Sequence, residues 1–193
     1  MPKIVDRTER KVQIAEATWR VILNQGMKGA TVRKIAEEAG LSLGALRHYF
    51  TTQQELLAFA MDLVKERVNS RINDMIRRDM PPKEKVLSIL LELVPVDDNK
   101  MAEMEVWFAF TFHSKYAEVS FDARHDGIFE GMRNIIEFLD QERLFDKRLD
   151  KEVEAERLYA MIDGLALHAM LEPKRLDRER IVEVLSRHID SIG

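Results

Sequence analysis

The chain has 193 residues, of which 46 % are hydrophobic, and it contains no cysteine. That is enough apolar material for a packed core, and it excludes disulfides and cysteine-based zinc sites. The net charge of −4 divides unevenly: the first fifty residues hold nine Lys/Arg against five Asp/Glu, and the remainder 21 against 29. A basic head on an acidic body fits a protein whose head alone meets a polyanion, although blocks of fifty residues also differ this much by chance.

No stretch alternates apolar and polar residues as a strand does, and the periodicity is helical throughout. An all-α fold of about nine helices is expected. The first helix spans about Arg7 to Gln25, with Ile14, Ala17, Val21 and Ile22 on one face and Gly26 as its cap. Thr31 caps a second helix, Val32 to Ala39, which Gly40 ends. Ser42 caps a third, Leu43 to Phe50. Thr52 and Glu55 have capping-box spacing and open a long fourth helix towards Arg78. Met80-Pro81-Pro82 stops it, and Pro82 starts a fifth that ends near Val94. Asp97-Asp98-Asn99 reads as a loop. Helices over about 101–114, 120–143, 151–171 and 177–191 complete the chain, with breaks at Lys115-Tyr116, at Phe145 to Asp150 and at Pro173.

Thr31 to Phe50 carries the chemistry. Ile35 and Ala36 face inward from the second helix, and Gly40 permits the left-handed backbone of a tight turn. Leu41 plugs that turn, and Leu46 and Phe50 pack back from the third helix. Two short helices joined in this way form a helix-turn-helix. The outer face of the third helix offers Leu43, Gly44, Ala45, Arg47 and His48. The small residues let the backbone approach base edges in a major groove. Arg47 can reach a guanine edge or a phosphate, and His48 and Tyr49 can donate to phosphates.

The stretch TVRKIAEEAGLSLGALRHYF, with Leu56 and Leu57 behind it, resembles the TetR family of repressors. The resemblance covers about residues 8–60, and the Ser-x-Gly-x-x-x-His-Tyr-Phe form is closer to the BetI-like branch. It implies a homodimer with two DNA-binding heads (residues 1–52) on helical bodies (53–193) that sense a small molecule and dimerise through their last two helices. Ligand binding then releases the operator. Carried over residue by residue, the resemblance places Thr31 on phosphate and Arg33 at a base. It places Leu43, Gly44, Ala45 and Arg47 against bases, and Ser42, His48, Tyr49 and Gln53 on the DNA backbone. Thr31 and Ser42 serve equally well as plain helix caps. The family usually has Lys where this chain has Gln53, so one positive charge per head is missing and a shallower salt dependence is expected.

The body is read from periodicity alone. Met104, Trp107, Phe108 and Phe112 form an aromatic and methionine cluster suited to an apolar effector, and equally to a packed core. Leu158, Met161, Ile162, Leu165 and Ala169 form one apolar stripe near the C-terminus. Ile181, Val184, Leu185 and His188 form another, and together they suit a symmetric dimer interface or intramolecular packing.

His113, His125, His168 and His188 show no metal-ligand spacing, and Asp97-Asp98-Asn99 lacks the Gly and Glu of a calcium loop. No catalytic motif is present, so neither enzyme activity nor a cofactor or metal is expected. No apolar run reaches the ~18 residues of a membrane span, and Met1 to Arg7 lacks a signal-peptide core. A cytoplasmic protein without a membrane partner is expected, whose partners are an operator duplex, an unknown small molecule and a second copy of itself. Two other readings fit the composition: a helical lipid-binding protein or enzyme whose head is structural, and a DNA binder with no effector.

Overall fold

Helix α1, Arg7–Gly29, begins where the Asp6 carboxylate accepts the Thr8 amide at 3.2 Å. Its buried face carries Ile14, Ala17, Val21 and Ile22, as the spacing requires. The Thr18 hydroxyl is buried on the same face and donates to the Ile14 carbonyl at 2.9 Å, so no polar atom is stranded there. Gly26, with φ 67° and ψ 176°, breaks the helix, and one further turn follows to Gly29. The expected end at Gly26 is therefore a kink.

The computed structural model describes residues 6–116 and 127–193, and only the backbone of 113–116. The expected start of a helix at residue 120, and His125, lie outside the described residues, as does the side chain of His113. The helices after α1 are α2 Val32–Glu38, α3 Leu43–Tyr49, α4 Gln53–Arg77, α5 Pro82–Leu90, α6 Asp98–Tyr116, α7 Ile128–Gln141, α8 Lys151–Leu171 and α9 Arg178–Ser191. All regular structure among the described residues is helical, and no helix there is long and apolar enough to cross a membrane.

The described residues divide into two compact units, 6–67 with 105–116 and 68–104 with 127–193. In the first, α1, α2 and α3 pack on one another. Ile14, Ile35, Leu46, Phe50 and Leu56 are fully buried at their centre. The Trp19 indole N–H donates to the Ala60 carbonyl at 2.9 Å and ties α1 to α4. The Phe50 ring lies 5.3 Å from Phe59, and the Lys11 ammonium sits 4.9 Å above the Phe50 ring.

In the second unit, α7 packs on α8, and α5 packs on α9 and α7. Met132, Ile136, Leu139, Leu158, Ile162 and Ile181 form its core. Each deep aliphatic side chain here contributes on the order of 2–5 kcal/mol against truncation to alanine. Three local expectations differ from the structure. Helix α5 ends at Leu90, and Val94 is nonetheless fully buried, so its apolar signal is that of core rather than of helix. Asp98 and Asn99 form the first turn of α6, because the Asp97 carboxylate accepts the Lys100 amide at 3.0 Å as a cap does. Helix α6 also continues through Lys115-Tyr116, where a break was expected.

A charge cluster braces this unit. Arg71 donates to Glu92 at 2.7 Å and to Glu103 at 2.6 Å, and Lys100 reaches Glu92 at 3.0 Å. The hydrogen bonds that the Arg71 guanidinium donates to Glu103, opposed by burial and reinforced by Glu92, raise its pKa above its ordinary range.

Candidate nucleic-acid interface

The helix-turn-helix is built from caps. The Thr31 hydroxyl oxygen accepts the Lys34 amide at 3.4 Å, and the Ser42 hydroxyl oxygen accepts the Ala45 amide at 3.1 Å. Both residues thus cap their helices. Capping uses an oxygen lone pair and leaves the hydroxyl proton as a donor, so the cap role and a phosphate contact are compatible. Gly40, at φ +64°, turns the chain between α2 and α3.

Burial sorts α3 by face. Leu46 and Phe50 are buried; Gly44, Arg47 and His48 are exposed, and Ala45 and Tyr49 are half-buried. Leu43 is 38 % exposed, one of few large apolar side chains so placed among the described residues. The His48 and Tyr49 rings meet edge to face with centroids 5.7 Å apart, which fixes their directions. A Cβ built on Gly44 meets nothing within 4 Å, and its backbone needs no positive φ. The fold itself does not require glycine at that position.

The Arg20 guanidinium engages Glu38 at 2.5 Å and removes that acid from competition. Lys34 is held by the neutral Gln25 amide. Arg33 and Arg47 are exposed and make no ion pair among the described residues. Two uncommitted guanidiniums beside a small-residue helix face form a surface that attracts phosphate and can read a base edge. Lys34, which the sequence analysis left unassigned, lies beside Arg33 on α2 and is likewise exposed.

Gln53 stands in the first turn of α4. Its side-chain amide donates to the Ala30 carbonyl at 2.8 Å. The Thr52 hydroxyl accepts the Glu55 amide at 3.0 Å, the first half of a capping box, and the Glu55 carboxylate reaches back one residue beyond the cap to accept the Thr51 amide at 2.8 Å.

On α6, Met104, Trp107 and Phe108 are half-buried and Phe112 is 54 % exposed. Phe108 and Phe112 stack at 5.8 Å, and the Lys65 ammonium lies 5.8 Å from the Trp107 ring. Val106 and Phe110 take the buried face of the same helix. On α8 and α9, Leu158, Ile162, Leu165, Ala169, Ile181, Leu185 and His188 are buried within the single chain, whereas Met161 and Val184 are half-buried. Val153 and Leu171 are exposed on α8. The His188 Nε2 atom is buried without a hydrogen-bond partner among the described residues. Burial, then Arg157, lowers its pKa below the ordinary histidine value, against the opposing pull of Glu154.

Residues 14–59 match the family described as bacterial regulatory proteins, tetR family, and residues 82–193 match the BetI-type transcriptional repressor, C-terminal family. The chain is 61 % identical over 192 residues to the HTH-type transcriptional regulator PksA of Bacillus subtilis, covering 100 % of this chain and 94 % of that one. It is 30 % identical over 194 residues to the HTH-type transcriptional regulator BetI of Escherichia coli K12, covering 97 % and 95 %. A transcriptional regulator from Rhodococcus sp. Rha1 shares the fold with a TM-score of 0.81 at 27 % identity, over 94 % of this chain and 95 % of that one. A regulator from Saccharomonospora viridis, solved in complex with choline, shares it with a TM-score of 0.80 at 20 % identity, over 95 % of each chain. The chain belongs to the TetR family and is a helix-turn-helix DNA-binding transcriptional regulator with a BetI-type C-terminal region, not an enzyme.

Proposed function

We propose that this regulator is a repressor that binds a palindromic operator as a homodimer and leaves it when a small molecule binds its C-terminal part. The observation that carries the proposal is the α3 face, where Arg47 is exposed without an acid partner among the described residues and Gly44 has an open Cβ position. Leu43, Gly44, Ala45 and Arg47 lie against base edges, and Arg33 supports them from α2. Thr31, Ser42, His48 and Tyr49 hold phosphates. Residues 1–52 form the DNA-binding part and residues 53–193 the sensing and dimerising part, and the protein works in the cytoplasm on a double-stranded operator.

Dimerisation runs through α8 and α9. The half-buried Met161 and Val184 and the exposed Val153 and Leu171 are available to a second copy, beside the buried stripes of the same helices. Side chains of α6 meet the effector, with Phe108 and Phe112 stacked and Trp107 and Met104 beside them in sequence. The choline complex of the Saccharomonospora viridis regulator supports a small-molecule effector in general terms. Selection of bound duplexes from random DNA tests the proposal. An enriched inverted repeat, bound by two chains, is expected. Enrichment of a single asymmetric half-site, or none, contradicts it.

A further inference from the structure

The Ala30 carbonyl stands at the corner from which α2 is launched. Ala30 is fully buried, and its own amide is spent on the Met27 carbonyl at 3.2 Å. The helical ladder of α2 starts one residue later, with the Ile35 amide on the Thr31 carbonyl at 3.0 Å. The carbonyl of Ala30 therefore lies outside that ladder, and a buried carbonyl needs a partner. The Gln53 amide supplies it at 2.8 Å, across 23 residues of chain.

We propose that Gln53 is a positioning residue for DNA recognition, acting on the Ala30 carbonyl rather than on a phosphate. One hydrogen bond joins the residue before the α2 cap to the first turn of α4. Only Phe50, Thr51 and Thr52 separate α3 from α4. The bond therefore closes a ring around α2 and α3 and holds Thr31 and Arg33 in register with Arg47. Phe50 anchors the same ring from inside the core, and the Thr52–Glu55 capping box fixes the direction in which α4 leaves it. A long side chain with an N–H donor is required at this position; a positive charge is not. The absence of a lysine there is in this account a change of role, because a neutral amide releases no counterion and makes its contribution through geometry.

The inference rests on the reading of α3 as the recognition helix, and its test separates the two. Binding is measured at 25 °C to two duplexes, one selected from random DNA by the unmodified protein and one of scrambled sequence. A residue that positions the reading helix affects the selected duplex, whereas a phosphate contact weakens both alike. Gln53→Met, which keeps the length and removes the donor, is expected to lower affinity for the selected duplex by ~5- to 10-fold and for the scrambled one by less than ~2-fold. Gln53→Lys restores a donor and is expected to recover the preference for the selected duplex. An equal loss on both duplexes, no loss on either, or no recovery with lysine overturns the proposal. Arg47→Ala is run alongside: if it leaves the selected duplex bound as before, the reading of α3 fails, and the Gln53 proposal with it. Should Gln53→Met not fold, amide exchange in the unmodified protein decides: a Gln53 side-chain proton slowed relative to those of exposed glutamines supports the bond, and one exchanging as fast as theirs overturns it.

Discussion

The Leu41 amide donates to the Ala36 carbonyl at 2.8 Å, across a turn in which Gly40 takes φ +64°. The Gly40 amide completes the motif on the Glu37 carbonyl at 3.1 Å. These two bonds satisfy carbonyls that the end of α2 leaves open, and they set the angle at which α3 departs. A Cβ at Gly40 meets no neighbour, so the demand for glycine is one of backbone conformation alone. Gly40→Ala is expected to cost ~1 kcal/mol of stability, read as a lower urea midpoint with an unchanged slope.

The same pair of bonds ends α7, where the Leu144 amide donates to the Leu139 carbonyl at 2.8 Å and the Arg143 amide to the Asp140 carbonyl at 3.0 Å. Here the left-handed position is held by Arg143, at φ 61°. Arg143→Gly is expected to raise stability by ~0.5–1 kcal/mol, because strain is relieved and no hydrogen bond is removed. Chemical denaturation of the two proteins side by side checks the sign.

Gly44 should show two effects of opposite sign. Its Cβ position is empty in the free protein, so Gly44→Ala is expected to stabilise the fold by ~0.5 kcal/mol through the unfolded state. The added methyl group meets the bases on which α3 is proposed to lie, and operator binding is expected to weaken by ~1 kcal/mol or more. Thermal melting and a binding titration on one preparation read both. A gain in stability with unchanged affinity places α3 further from the groove than proposed.

His188 ties stability to pH. Its pKa is lower in the folded chain than in the unfolded one, because burial and the neighbouring Arg157 disfavour the imidazolium more than Glu154 favours it. The unfolded chain therefore takes up the proton first as pH falls. The stability contributed by the neutral ring is full above ~6.5 and declines as pH drops from there through the folded value, at no more than ~1.4 kcal/mol per pH unit. His188→Leu removes this component, so urea midpoints at pH 8 and pH 5.5 should lie closer together in the variant than in the unmodified protein.

What the sequence made legible was local. Thr31, Gly40 and Ser42 act within three residues of themselves, so their caps and turn read directly from the chain. The same holds for Thr52 with Glu55, and for the 3.6-residue spacing that buries Ile14, Ala17 and Val21. Contacts between distant residues were not legible. Nothing near Gln53 announces that its amide answers a carbonyl 23 residues away, and Glu154 and His188 are polar residues that become buried only once α8 and α9 have packed. The apolar stripes on those helices could not be divided by pattern into residues buried by the chain itself, such as Ile162 and Leu185, and residues left at its surface, such as Val153 and Leu171.

The central claim is that α3 is the helix that meets DNA, with Arg47 at a base edge and Tyr49 on a phosphate. Fluorescence anisotropy of a labelled duplex selected by the unmodified protein, titrated with the Arg47→Ala, Tyr49→Ala double variant, tests it directly. The account predicts a loss of ~2–4 kcal/mol in operator affinity, or ~30-fold or more, with the helical circular dichroism signal retained. Unchanged affinity in a folded double variant contradicts the account.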